Sequence, residues 1–298
     1  SGNFTLDTKN PTVTITSNAS DPQSGAFTAT FTFSEDVTGF EIGDITVGNG
    51  TISNFNTTST TVYTATITPS SDGAVTIDVA ADKANDAAGN GNTAATQLSV
   101  TNDETKPTVT ITSSANPISG AFTATFTFSE DITGFEVADI TVGNGIASNF
   151  NTTSAKIYTA TITPSSDGAV TIDVAADKAN DTAGNSNTAA TQLSVTNDET
   201  KPTVTITSNA SDPQSGAFTA TFTFSEDVTG FAIGDITVGN GAASNFNTTS
   251  TTVYTATITP SSDGAVTIDV VADKANDAAG NGNTAATQLS VTNDETKP

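Results

Sequence analysis

One segment of about 95 residues is written three times in this chain, and that repetition limits what it can fold into. "VTNDETKPTV" fills residues 100–109 and returns letter for letter at 195–204; its first eight letters occur again at 291–298. Pro11, Pro107, Pro202 and Pro298 stand 96, 95 and 96 residues apart. "SGAFTATFTFSED" opens at Ser24, Ser119 and Ser215, and "TPSSDGAVTIDV" at Thr68, Thr163 and Thr259. The middle copy is one residue shorter, because "SDPQSG" has become "NPISG". A unit of this size is a domain in its own right. Repeats of about 20–45 residues, by contrast, stack because they cannot fold alone. The expected division is a preceding linker at 1–9, units at 10–102, 103–197 and 198–293, and the start of a further unit at 294–298. Such a chain is expected to be a piece of a longer array.

Within each unit the hydrophobic period is two. Phe27, Ala29, Phe31 and Phe33 alternate with threonines; so do Tyr63, Ala65 and Ile67; Val75, Ile77 and Val79 alternate with Thr76 and Asp78. This is the signature of half-buried strands. Strands are expected near 12–17, 26–34, 39–42, 61–68, 74–81 and 94–101, with one or two more within 44–57. Gly-, Asn- and Asp-rich turns separate them at "SDPQSG", "EDVTG", "VGNG", "SSDG" and "NDAAGNGN". About seven short strands per unit predict an antiparallel sandwich, with Phe27, Phe31, Phe33, Phe40 and Phe55 supplying much of the core. No stretch has a helical period longer than about a turn.

Composition removes several functions. The sequence has no Cys, His or Arg, and 32 acidic residues against 8 Lys give a net charge of −24. Thiolate chemistry, the Ser-His-Asp triad and the usual zinc ligands are missing. The charge repels nucleic acid. No apolar run is long enough to span a membrane.

The ordered motifs "DETKPTVTI", "GAFTATFTFSEDVTGF", "DITVGNG", "YTATITPSSDGAVTIDV" and "NDAAGNGNTAA" resemble the bacterial immunoglobulin-like domains found in tandem in large extracellular surface adhesins of the RTX and Bap type. The resemblance covers nearly the whole chain. It implies an all-β fold: three tandem immunoglobulin-like antiparallel β-sandwiches in an extended array. It also implies a stalk at the bacterial cell surface, with calcium bound at or near the joints.

In that topology the start of the first strand, the loop after the second and the loop before the last share one end of the domain, facing the preceding linker. For the middle unit this gathers Asp103 and Glu104 with Glu130 and Asp131, and with Asp177, Asn180, Asp181 and Asn185. Such crowded carboxylates repel one another without a cation, and an oxygen-only donor set suits Ca2+ rather than zinc or copper. The candidate ligands are Asp7, Glu35, Asp36, Asp86 and Asn90 for the first unit; Asp103, Glu104, Glu130, Asp131, Asp181 and Asn185 for the second; and Asp198, Glu199, Glu226, Asp227, Asp277 and Asn281 for the third. The first joint carries Thr8 where the others carry Glu104 and Glu199, so the linker Asp is preferred over the Glu. Asp82 ranks lower, since it departs from the family pattern. Asp72, Asp167 and Asp263, in "SSDG", read as plain turn residues at the opposite end that could still complete a site between domains.

The function expected is that of a non-catalytic, monomeric extender in a cell-adhesion or biofilm protein. Its partners are calcium ions and neighbouring repeats, and its joints are rigidified by the ion. Each unit would be roughly 40 Å long and three in line roughly 120 Å. The alternative is a ligand-binding module, for carbohydrate or ice, using outward Thr ladders such as Thr28, Thr30 and Thr32. Catalysis is disfavoured, because Glu35 and Asp36 are adjacent on one loop and cannot flank a substrate. Lys–Asn cross-links at Lys83, Lys178 and Lys274 are disfavoured by their polar loop.

Overall fold

The computed structural model describes residues 6–296. Residues 1–5 of the expected linker, and Lys297 and Pro298 of the expected last segment, lie outside the described residues. The first unit has seven strands: β1 (Val13–Ser17), β2 (Phe27–Phe33), β3 (Ile45–Gly48), β4 (Gly50–Thr57), β5 (Val62–Pro69), β6 (Gly73–Val79) and β7 (Leu98–Asn102). The other two units repeat this order. One sheet runs β1-β2-β5-β4 and the other β3-β6-β7, all pairs antiparallel. Four strands facing three in this connection is the constant-type immunoglobulin sandwich.

One expected strand does not form. The segment 39–42 forms no strand: Gly39 takes the left-handed conformation at φ 85°, and a short 3-10 turn covers Ile42–Asp44. The reason is Phe40. Its ring drops into the core, with its centroid 5.0 Å from Phe33 and 5.1 Å from Tyr63. Asp44 then closes the turn, accepting the Glu41 N–H at 3.0 Å. The central strand of the smaller sheet is paired on that side by β3, at 45–48, so both strands expected within 44–57 are present.

The alternation seen in the sequence becomes the two faces of each sheet. Phe31, Ile67, Val75 and Ile77 are fully buried between the sheets. Four of the five expected phenylalanines are core residues, while Phe55, on the edge strand β4, packs against the core only partly covered. Threonines pair on the outer face, Thr16 with Thr30 and Thr30 with Thr64. The edge strand carries a bulge between Ser53 and Asn56, with Asn54 at φ 50°. Such a bulge hinders pairing with another chain.

The long loop between β6 and β7 has no continuous ladder, and one buried amide satisfies much of its main chain. Asn92 is 1 % exposed. Its Oδ1 accepts the main-chain N–H groups of Lys83 (2.7 Å) and Ala84 (2.8 Å), and its Nδ2 donates to the carbonyls of Ala80 (3.0 Å) and Thr93 (2.8 Å). Asn187 and Asn283 make the same four bonds. An Asn187→Ala variant leaves the buried Ala179 N–H and the partly covered Lys178 N–H without acceptors, at a cost of about 3 kcal/mol. We expect scanning calorimetry to resolve an early transition carrying about one third of the unfolding heat. A single unchanged transition would contradict this role.

Candidate metal centre

Backbone pairing between loops builds the acidic end of each unit. Thr38, in the loop after β2, and Asn85, in the loop before β7, exchange main-chain hydrogen bonds of 2.9 and 3.0 Å. Thr133 with Asn180, and Thr229 with Asn276, do the same. The start of the unit is fixed between these loops. The Pro107 carbonyl accepts the Thr188 N–H at 2.9 Å, and Ser129 Oγ accepts the Thr108 N–H at 3.0 Å. Three segments distant in sequence therefore end at one place.

Within the last loop a tight turn presents one buried carboxylate. Asp86 Oδ1 accepts the N–H groups of Ala88 (2.8 Å) and Asn90 (2.9 Å), and its Oδ2 accepts Asn90 Nδ2 at 2.8 Å. Gly89 supplies the left-handed step the turn needs, at φ 89°. The Asn90 side chain and these amides hold the Asp86 carboxyl below its ordinary range, against the opposing effect of desolvation. Asp181 and Asp277 are buried in the same way, with Asn185 and Asn281 bonded to them at 2.8 Å.

Three carboxylates meet at each joint: Asp7, Glu35 and Asp86; Asp103, Glu130 and Asp181; Asp198, Glu226 and Asp277. In each set one oxygen per residue lies within 4.8 Å of the others. The crowding has an electrostatic consequence. Burial first, then the charges of Asp181 and Asp103, push the Glu130 carboxyl above its ordinary value, while Lys156 opposes this. Glu226 is raised by burial and then by Asp277 and Asp198. Among the described residues the ion pairs lie elsewhere: Lys83–Asp44 (3.7 Å), Lys178–Asp139 (3.7 Å) and Lys274–Asp235 (3.8 Å).

The other candidates are placed differently. Asn90, Asn185 and Asn281 turn their amide NH2, rather than their oxygen, toward the cluster. It donates to the carboxylate of the same loop and to the linker carbonyl of Asp7 (3.2 Å), Asp103 (2.7 Å) or Asp198 (2.7 Å). These amides position two oxygens of the cluster. Asp36 and Asp227 accept the hydroxyls of Thr60 and Thr251 at 2.5 Å. Asp131, whose unit has Ala155 at that position, raises the Tyr158 hydroxyl after burial has done so first. Asp36, Asp131 and Asp227 lie outside the three-carboxylate clusters. Glu104 and Glu199 are exposed and outside the triads. Asp177 takes a left-handed conformation at φ 62° and also lies outside them. Sequence reasoning passed over Asn92, whose only signal is its fixed register two residues after Asn90. Asp72 and Asp167, which the sequence offers as turn residues that could still complete a site between domains, both bind the following linker.

The bacterial Ig-like domain family matches residues 7–101, 103–196 and 198–293. The chain belongs to that family. Among solved structures, these bacterial Ig-like units resemble the Escherichia coli adhesin FdeC, at 16% identity over 98% of this chain and 99% of that one, with a TM-score of 0.45. Yersinia pseudotuberculosis InvD follows at 16% identity, over 96% and 98%, with a TM-score of 0.39. Invasin, a bacterial integrin-binding protein, is 16% identical over 88% of this chain and 56% of its own, with a TM-score of 0.35. No curated protein matches the chain.

The geometry predicts that Glu130→Gln raises the melting temperature of the middle bacterial Ig-like unit in chelator, by removing repulsion with Asp103 and Asp181. A lower melting temperature in chelator would show that the Glu130 charge is instead compensated by the protein.

Proposed function

We propose that the chain is a run of non-catalytic extender repeats from a bacterial cell-surface adhesin, and that calcium bound between each linker and the following unit stiffens its joints. The observation that carries this reading is the convergence, three times over, of a linker Asp, a loop Glu and a buried loop Asp. The donor set fits a hard divalent cation. It offers only oxygens, at least three of them anionic, with no imidazole or thiolate. A bound Ca2+ would supply the positive charge that cancels their repulsion. Asp103, Glu130 and Asp181 would hold it in the middle unit, with Asp7, Glu35 and Asp86, and Asp198, Glu226 and Asp277, in the others.

The protein's own part is to hold those oxygens ready. Asn185 fixes both the Asp181 carboxylate and the Asp103 carbonyl, and the Thr133–Asn180 pairing keeps Glu130 beside them. The linker Asp and the loop acids belong to segments that bending would separate, so whatever joins them resists bending. Near-identical copies suit a spacer, whose requirement is length. The surface charge suits a salty medium, where it is screened and aids solubility.

Thermal unfolding with calcium, magnesium or chelator at fixed ionic strength tests this function. Calcium at a hundredfold excess over its dissociation constant contributes about 2.7 kcal/mol, a shift on the order of 10 °C. Magnesium, which demands a tighter octahedral shell, is expected to do less. Asp181→Asn should remove the shift for the middle unit alone. Equal effects of calcium and magnesium, or no saturable effect, would sink the proposal.

A further inference from the structure

We propose that Asp72 and Asp167 are positioning residues that keep each linker docked on the unit before it whether or not a cation is bound, so that a joint bends at one place, Lys106 or Lys201. This rests on the joint reading above for its consequence, but not for its geometry.

The linker is held on both sides by different residues. Toward the preceding unit, the Asp103 N–H donates to the Gln23 carbonyl at 2.9 Å. Asp72 then takes two hydrogen bonds, one on each oxygen: from the Glu104 N–H at 2.7 Å and from Thr105 Oγ1 at 2.5 Å. Just before this, the buried amide of Asn102 donates to the Ser71 carbonyl at 3.2 Å and so fixes the loop that carries Asp72. The second joint repeats the linker arrangement and adds one direct bond between units, from Ser119 Oγ to Asn281 Oδ1 at 2.6 Å, which would have to break for that joint to pivot. Asp198 N–H donates to the Ile118 carbonyl (2.8 Å), and Asp167 accepts from Glu199 N–H (2.7 Å) and Thr200 Oγ1 (2.7 Å). Toward the following unit, the contacts are those of Asp103 with the acidic cluster and of the Pro107 carbonyl with Thr188. Between Thr105 and Pro107 stands Lys106. Among the described residues, no hydrogen bond engages the main chain of Lys106 or Lys201.

The two ends of the described chain separate these halves. Asp263 accepts the Glu295 N–H at the same 2.7 Å although no described unit follows it, so the main-chain bond of the clasp forms there, while the Thr296 hydroxyl turns to Asp294 instead. Asp7 keeps its contacts with Asn90, Glu35 and Asp86, although no described unit precedes it. Each half therefore forms without the other. The linker up to Thr105 belongs mechanically to the unit before it, and the cluster joins that rigid piece to the next unit across a one-residue pivot. A cation there would act as a latch over the pivot rather than as the glue of the whole linker.

Amide hydrogen exchange of the three-unit chain, resolved by NMR in calcium-free buffer with chelator, tests this. The Glu104 and Glu199 amides are expected to exchange roughly tenfold or more slowly than in an unstructured chain. Asp72→Ala should bring Glu104 alone to the unstructured rate and Asp167→Ala Glu199 alone. Asp72→Asn, which keeps an acceptor, should largely restore protection. Unchanged exchange at Val75 and Val100 shows that the unit stays folded. Loss of Glu104 and Glu199 protection on chelation alone, or no change in the alanine variants, would overturn the inference. If added calcium changes no amide near the joints while Asp72→Ala still exposes Glu104, the clasp stands and the calcium reading falls.

Discussion

The buried amide of Asn92, with its counterparts Asn187 and Asn283, is the interaction on which the rest of each unit's acidic end depends. A loop of this length, outside any ladder, must satisfy its main-chain groups elsewhere. This amide uses both its donors and its acceptor to do so. Beside it, Asn85 pairs with Thr38, and that pairing brings the loops of Glu35 and Asp86 together beside the linker. The amide is neutral, so it adds order at the crowded end without adding charge.

That loop carries the order of the unit outward to the joint. The sandwich supplies two ends, and the chain uses both. One end receives the linker through a carboxylate cluster. The other keeps hold of the departing linker through Asp72 or Asp167. Because the same seven strands recur, every described joint is built from the same two half-sites, and a property of one joint is multiplied along the chain.

Much of this was legible in the residues. Period-two alternation located the strands around Phe31, Ile67 and Ile77, because a half-buried strand must alternate. The repeated linker Asp and the two acidic loops were legible once the sandwich topology was assumed. Other features depend on contacts that spacing does not carry. Phe40 reads as part of a strand, but the core pulls it in and Gly39 turns the chain. Asn90 and Asn92 are the same residue type in one loop, and only the folded loop decides which bonds to the acidic cluster and which to the loop's own main chain. Glu35 and Asp36 look like a pair, yet Glu35 joins the acidic cluster while Asp36 accepts the Thr60 hydroxyl. Asp72 is a good turn residue in any reading; its partners lie 32 and 33 residues further on.

The central claim is that the acidic cluster, when it holds calcium, fixes each unit to the linker before it. Small-angle scattering of the three-unit chain, with calcium and then with excess chelator at fixed ionic strength, tests it most directly. The account predicts a narrow distribution reaching roughly 120 Å with calcium, and a broader, shorter one with chelator as the joints pivot. The same profile in both conditions would contradict it.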